Sequence, residues 1–136
     1  IRDRKRELKP YRQRCSEVQA VINRYVRLRD KGKPCISCDK PDNGSHQRHA
    51  SHFKSVGSNS ALRFNLWNIH ASCSQCNNHK SGNIAGYTPR LIEKIGQQRV
   101  DWLSSQNQPK KYSDDYLIRI KKIFNKRCRI LENRHD

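Results

Sequence analysis

Two pairs of cysteines with the same internal spacing, Cys35-x2-Cys38 and Cys73-x2-Cys76, divide the chain into a bracketed centre and two flanks. A two-residue gap lets one tight turn deliver two thiolates to a single ion, and two such gaps complete the tetrahedron that zinc prefers. The spacing therefore predicts a structural Zn²⁺ held by Cys35, Cys38, Cys73 and Cys76. Two disulfides or buried free thiols are the alternative, and disulfides suit an oxidising compartment. The opening IRDRKREL carries no apolar signal core, and no stretch nears the roughly 18 apolar residues of a membrane span, so a soluble, intracellular chain is expected. It begins with Ile1 rather than Met, as a fragment or trimmed chain would. Cys15 and Cys128 lack the paired spacing and fall within helical apolar patterns, which marks them as small core residues.

A single domain of 136 residues with 33% hydrophobic content buries only a modest core, so a metal cross-link would supply stability that packing lacks. The formal charge is +17, from 29 Lys and Arg against 12 Asp and Glu, which makes a polyanion, above all nucleic acid, the natural partner. Eleven of these cations lie in residues 1–31 and nine in 110–136, leaving nine for the longer middle. Both ends thus read as electrostatic arms around the cysteine-rich centre.

Helical periodicity is clear at both ends. Val18, Val21, Ile22, Tyr25 and Val26 recur at three- and four-residue steps in a helix expected from Pro10 to about Lys31, with Gly32 and Pro34 as its stop. Leu117, Ile120, Phe124 and Leu131 form the stripe of a last helix that starts after Ser113, where Asp114 and Asp115 favour the positive end of the helix dipole. Between them, Thr88-Pro89 reads as the start of a short helix carrying Leu91, Ile92 and Ile95 to a stop at Gly96. Another follows around Val100 to Ser105, and Ser104 to Lys111 reads as linker.

Residues 49 to 72 differ, with short runs lacking helical period around the Gly57-Ser58-Asn59-Ser60 turn. Two short strands are expected there, followed by a short helix from Cys76-Asn77. The fold class is accordingly α+β: strand, loop, strand and helix pinned by thiolates and flanked by basic helices. The segments are 1–32, a basic helical region; 33–96, the zinc-stabilised core; and 97–136, a second basic helical region.

Within that core, His52-Phe53, Asn68-Ile69-His70 and Cys73-x2-Cys76-Asn77 resemble the HNH, or His-Me finger, endonucleases, whose core is a ββα-metal fold. Cys35-Ile36-Ser37-Cys38, Leu62-Arg63-Phe64-Asn65 and Cys76-Asn77-x-His79-Lys80-Ser81-Gly82-Asn83 narrow this, and over residues 33–96 the chain resembles the lambdoid phage NinG family, the Rap recombination nucleases.

The resemblance implies metal-dependent hydrolysis of a phosphodiester, which needs a base to activate water, a cation to offset charge on the phosphate, and a means of aligning both. His52 matches the general base, and imidazole suits that role near neutral pH. Asn68, five residues before Cys73, matches the asparagine that orients the base. Asn77 matches a ligand of the catalytic Mg²⁺ or Mn²⁺. The family pattern has a further ligand immediately before the base, where this chain has Ser51. His49 or His70 is the substitute, although strict strand alternation sets His49 and His52 on opposite faces unless a bulge intervenes.

Taken together, the resemblance implies an endodeoxyribonuclease that cuts Holliday junctions and D-loops during phage recombination, in the cytoplasm of the bacterial host. The alternative is a zinc-stabilised module that binds branched DNA without cutting it. Arg63, Lys54 and Lys80 near the centre, with Arg12, Arg24 and Lys121 on the outer helices, are the expected DNA contacts. About six such phosphate contacts would give a log-log salt slope near five. Cutting both strands of a junction calls for two active sites, hence a homodimer, and phage recombination proteins are candidate partners.

Overall fold

The computed structural model describes residues 9–44, 47–79 and 83–135. The chain is mostly helical around one two-stranded sheet. Its elements, in order, are α1 (Tyr11–Arg29), β1 (Arg48–His52), 3-10 turns at Ser60–Leu62 and Leu66–Asn68, β2 (Ile69–Cys73), α2 (Ser74–His79), α3 (Ile84–Ile95), α4 (Gln97–Ser105) and α5 (Asp114–His135). This is the mixed α+β class expected, with the two strands and the helix after Cys73 in the anticipated order.

The longest helices pack together although they are far apart in sequence. Cys15, Val18, Ile22 and Val26 of α1 are buried at helical spacing, and they meet Leu117 and Phe124 of α5 together with Phe64, Ile69 and Tyr112. Tyr25 meets Phe124 edge to face at 5.1 Å between centroids. The Cys128 thiol, also buried, points at the Val21 carbonyl, so both unpaired cysteines are core residues as their setting implied. At the start of α5, Ser113 Oγ accepts the Tyr116 N–H at 3.1 Å, while Asp114 and Asp115 occupy the first turn.

A second apolar cluster joins Ile36, Phe53, Leu62, Tyr87, Leu91, Val100 and Leu103, bringing α3 and α4 against the loops around the sheet. Here one expectation is corrected, because α3 starts at Ile84 and Pro89 lies inside it rather than opening it. Tyr87 explains the extra turn. Its ring is fully buried and its hydroxyl donates to the Ser51 carbonyl at 2.7 Å, so tertiary burial outweighs the backbone bond that Pro89 forgoes. Thr88 does not cap; its hydroxyl donates to Ile84 O within the helix. Asn83, in the left-handed region at φ 51°, turns the chain into α3.

The Ser104–Lys111 stretch also departs from a free linker. Ser104 and Ser105 complete α4, and the following residues lie along the first 3-10 turn, with Ala61 N–H donating to Gln108 O and Lys110 N–H to Ser60 Oγ.

The sheet is antiparallel and regular. Arg48 pairs with Cys73, His49 with Ser72, Ala50 with Ala71, Ser51 with His70, and His52 with Ile69. No bulge interrupts this register, so His49 and His52 fall on opposite faces of β1.

Candidate functional site

The two cysteine turns converge as their spacing requires. The four sulfur atoms of Cys35, Cys38, Cys73 and Cys76 all lie within 4.8 Å of one another, and none is in a disulfide. Four thiolates around zinc at about 2.3 Å stand roughly 3.8 Å apart. Cys38 Sγ and Cys73 Sγ are separated by 3.7 Å, which fits. Donors aimed at the sulfurs support the same reading, with Ser37 N–H on Cys35 Sγ at 3.4 Å and the Asn83 amide on Cys76 Sγ at 3.7 Å. Burial raises the Cys73 thiol, yet the Cys76 N–H and the neighbouring thiols outweigh it and bring its pKa down to about 7. The cluster could hold a metal ion such as zinc. Cys73 ends β2 and Cys76 lies in α2, so the same ion would tie helix to sheet and both to the Cys35–Cys38 turn.

That tie sets up the next contact. Asn77, directly after Cys76, donates its amide N–H to His49 Nδ1 at 3.0 Å. The two residues line a cavity of about 180 Å³ with Asn23, Arg27, Gln47, Arg48 and Ala50. Arg48 is held by the Lys40 carbonyl at 2.8 Å and by Asp42 at 3.6 Å, but its buried Nη1 has no partner. Two arginines, Arg27 and Arg48, lining one cavity suit it to an anion such as phosphate.

His52 lies elsewhere. Its Nε2–H donates to the Arg63 carbonyl at 2.9 Å, and it borders a separate cavity with Phe53, Lys54, Ser55, Ser58, Ile84 and Ser104. Burial lowers its pKa, the Arg63 charge adding to the effect against the backbone bond, so the imidazole is neutral near pH 7. Asn68 is fully buried. Its amide accepts the Lys54 N–H at 2.8 Å and donates to the Lys54 and Leu62 carbonyls at 3.0 and 3.2 Å, clamping the loop that leaves β1.

His70 is buried with both ring nitrogens engaged. Nε2–H donates to Trp67 O at 2.8 Å, and Nδ1 faces Arg29 Nη2 at 3.3 Å. Burial, with Lys94 and Arg29 nearby, pushes its pKa down to about 3, so it is a neutral structural imidazole. Ser51 is buried too, beneath Tyr87.

The expected DNA contacts divide in the same way. Arg12 is exposed on α1, but Arg24 pairs with Glu132, Lys121 with Glu17 at 3.5 Å, and Arg63 is drawn to Gln19 at 3.1 Å and to the Phe64 ring. Lys54 is half-buried, while Lys80 and His46 lie outside the described residues.

Sequence reasoning missed Arg48, Arg27 and Asn23, although Asn23 and Arg27 stand one helical turn apart on α1 and Arg48 adjoins His49. It also missed the buried junction at Asp30. This carboxylate takes Arg29 Nε at 2.9 Å, Lys94 Nζ at 3.1 Å and the Ala71 N–H at 3.0 Å, joining α1, α3 and β2. Burial alone would raise its pKa, but Arg29 and Lys94 hold it well below the usual carboxylate range.

The comparisons with known proteins agree on one family. The family model described as Bacteriophage Lambda NinG protein matches residues 1–134. Protein ninG of Escherichia phage lambda is 35% identical over 133 residues, which cover 98% of this chain and 64% of that protein. The proteins of the same name from Escherichia phage 933W and Salmonella phage P22 are 35% and 34% identical over the same length, 65% and 64% of each being covered. The chain thus spans a little under two thirds of these relatives. No solved structure matches it. Among the described residues no helix is long and apolar enough to cross a membrane. With a family model spanning nearly its whole length and relatives above 30% identity, the chain belongs to the NinG family of lambdoid phages.

Proposed function

We propose that the chain is a divalent-metal-dependent endonuclease of the His-Me finger class that cuts branched DNA, with His49 and Asn77 at its reacting centre. The observation that carries this reading is one cavity where an imidazole, a carboxamide and two guanidinium groups converge, one guanidinium nitrogen being buried without a partner. Arg48 and Arg27, which line the cavity, would take the phosphate oxygens. Asn77 Oδ1 is the atom for Mg²⁺ or Mn²⁺, which when bound would offset negative charge on the phosphate. Once the Asn77 carboxamide turns its Oδ1 to the ion and withdraws its N–H, His49 Nδ1 would be free to take the proton of the attacking water as the new oxygen–phosphorus bond forms and the bond to the leaving oxygen breaks. The register of the resemblance gives this base role to His52; the contact with Asn77 favours His49.

The basic helices α1 and α5 would hold the DNA through its phosphates, by shape and charge more than base sequence. A homodimer would supply two cutting centres, and the phage's recombination proteins are the partners to try.

The test incubates the parent, His49→Ala and His52→Ala proteins, matched for zinc content, with labelled four-way junction, D-loop and linear duplex, with and without Mg²⁺. Metal-dependent cutting of branched DNA by the parent, reduced roughly 100-fold or more in His49→Ala and less in His52→Ala, is expected. The reverse order between the variants would return the base role to His52. Tight binding without cutting by the parent would overturn the enzyme in favour of a binding module.

A further inference from the structure

The chain has two tryptophans, and the structure sets them side by side at the surface. Trp67, in the second 3-10 turn, is 39% exposed, and Trp102, on α4, is 42% exposed. Their rings meet edge to face at 5.8 Å between centroids and an interplanar angle of 89°. The Arg99 guanidinium lies 4.9 Å from the centre of the Trp67 ring. Large aromatic side chains are the groups a fold gains most by burying, so two left this open, touching each other and topped by a cation, form a surface suited to a planar, anionic ligand.

We infer that Trp67, Trp102 and Arg99 form a stacking platform for unpaired bases of a nucleic-acid strand, an inference that rests on the nucleic-acid reading above. Every base has a π-face that can stack on indole or guanidinium, and Arg99 also supplies charge for the backbone. The chain's charge of +17 complements such a strand. The platform stands where β2 begins, whereas His49 and Asn77 lie toward the other end of the sheet, where β2 runs into α2. Asp101, adjacent on α4, is occupied by the Gln97 amide at 2.8 Å.

Because Trp67 and Trp102 are the chain's whole tryptophan complement, its indole fluorescence reports on this patch alone. The experiment titrates the full chain, without added Mg²⁺, with oligothymidylate and with blunt duplex of equal length. Saturable quenching by the single strand, exceeding that by duplex, is expected. Trp102→Ala and Arg99→Ala should each weaken single-strand binding roughly five-fold or more while leaving duplex affinity unchanged, and Trp102→Phe should restore most of it. Equal quenching by both DNAs, or equal losses of both affinities in the variants, would overturn the platform, as would a concentration-dependent dimer broken by Trp102→Ala. Cleavage by the parent with no single-strand quenching would sink this inference and leave the endonuclease standing. Selective quenching without cleavage would do the opposite.

Discussion

Gly86 of α3 lies so close to the Cys35–Cys38 turn that a Cβ built on it would stand 1.9 Å from the Ser37 carbonyl oxygen. That carbonyl also accepts the Asn83 amide at 3.2 Å and Arg90 Nη1 at 3.1 Å, so the turn carrying two of the thiols is docked onto the start of α3. Gly86→Ala must push helix and turn apart. A loss of about 3 kcal/mol in urea unfolding is expected, with weaker zinc retention, since overpacking against backbone cannot relax by a side-chain rotation. An unchanged midpoint would mean that α3 can slide without disturbing the cysteines.

The carboxylate of Asp30 faces three cations within a buried junction, and Asp30→Asn would leave Arg29 and Lys94 without their counter-charge while keeping an acceptor for Ala71 N–H. Removing one partner of a buried pair costs about 3 kcal/mol or more. The folded pKa lies below the unfolded one, so this contribution is present above about pH 4 and is lost as pH falls from there. Parent and variant should therefore converge in stability below pH 4. Parallel stability curves down to pH 2 would remove Asp30 as the cause.

Local spacing and periodicity made much of this fold legible in the sequence. The cysteine turns, the stripes of α1 and α5 and the two strands each depend on residues a few positions apart. The site was legible by type rather than by partnership. His49, His52, His70, Asn68 and Asn77 were all visible, but which of them meet depends on strand register and on how α2 leaves Cys73. The Asp30 junction was hidden for the same reason, since Arg29, Ala71 and Lys94 come from three separate elements. Pro89 misled because its local preference was outweighed by Tyr87 burial, which residue order does not reveal.

His70 supplies a pH dependence of its own. The folded pKa is about 3 against 6.5 when free, so between those values the unfolded chain holds a proton that the folded chain refuses. Stability must rise with pH across that window, by about 1.4 kcal/mol per pH unit from this group. Above pH 6.5 the slope from His70 vanishes. Replacing it by Gln, which can still donate to Trp67 O, should flatten the curve between pH 6.5 and 5 by about one proton. Urea midpoints at pH 7.5, 6.5 and 5.5 measure it, and identical slopes in parent and variant would assign the effect to other groups, His52 first because burial shifts it the same way.

Removing the metal should separate the chain's two structural supports. Purified protein is expected to carry about one zinc per chain, measured by elemental analysis, and Cys38→Ser, at the one exposed thiol of the four, should lower that occupancy. The α1–α5 core does not include the cysteine cluster, so helical signal from those two should survive chelation. The start of β2 is also tied to the α1–α5 core through Ile69 and to Asp30 through the Ala71 N–H, but its Cys73 end and the six-residue α2 depend most on the ion. Stripping the zinc should therefore lower the melting temperature by about 10 °C or more and expose amides of residues 72–79 to hydrogen exchange before those of α1. Uniform protection in both segments after zinc loss would mean that apolar packing alone holds the sheet, and that the thiols are dispensable to the fold.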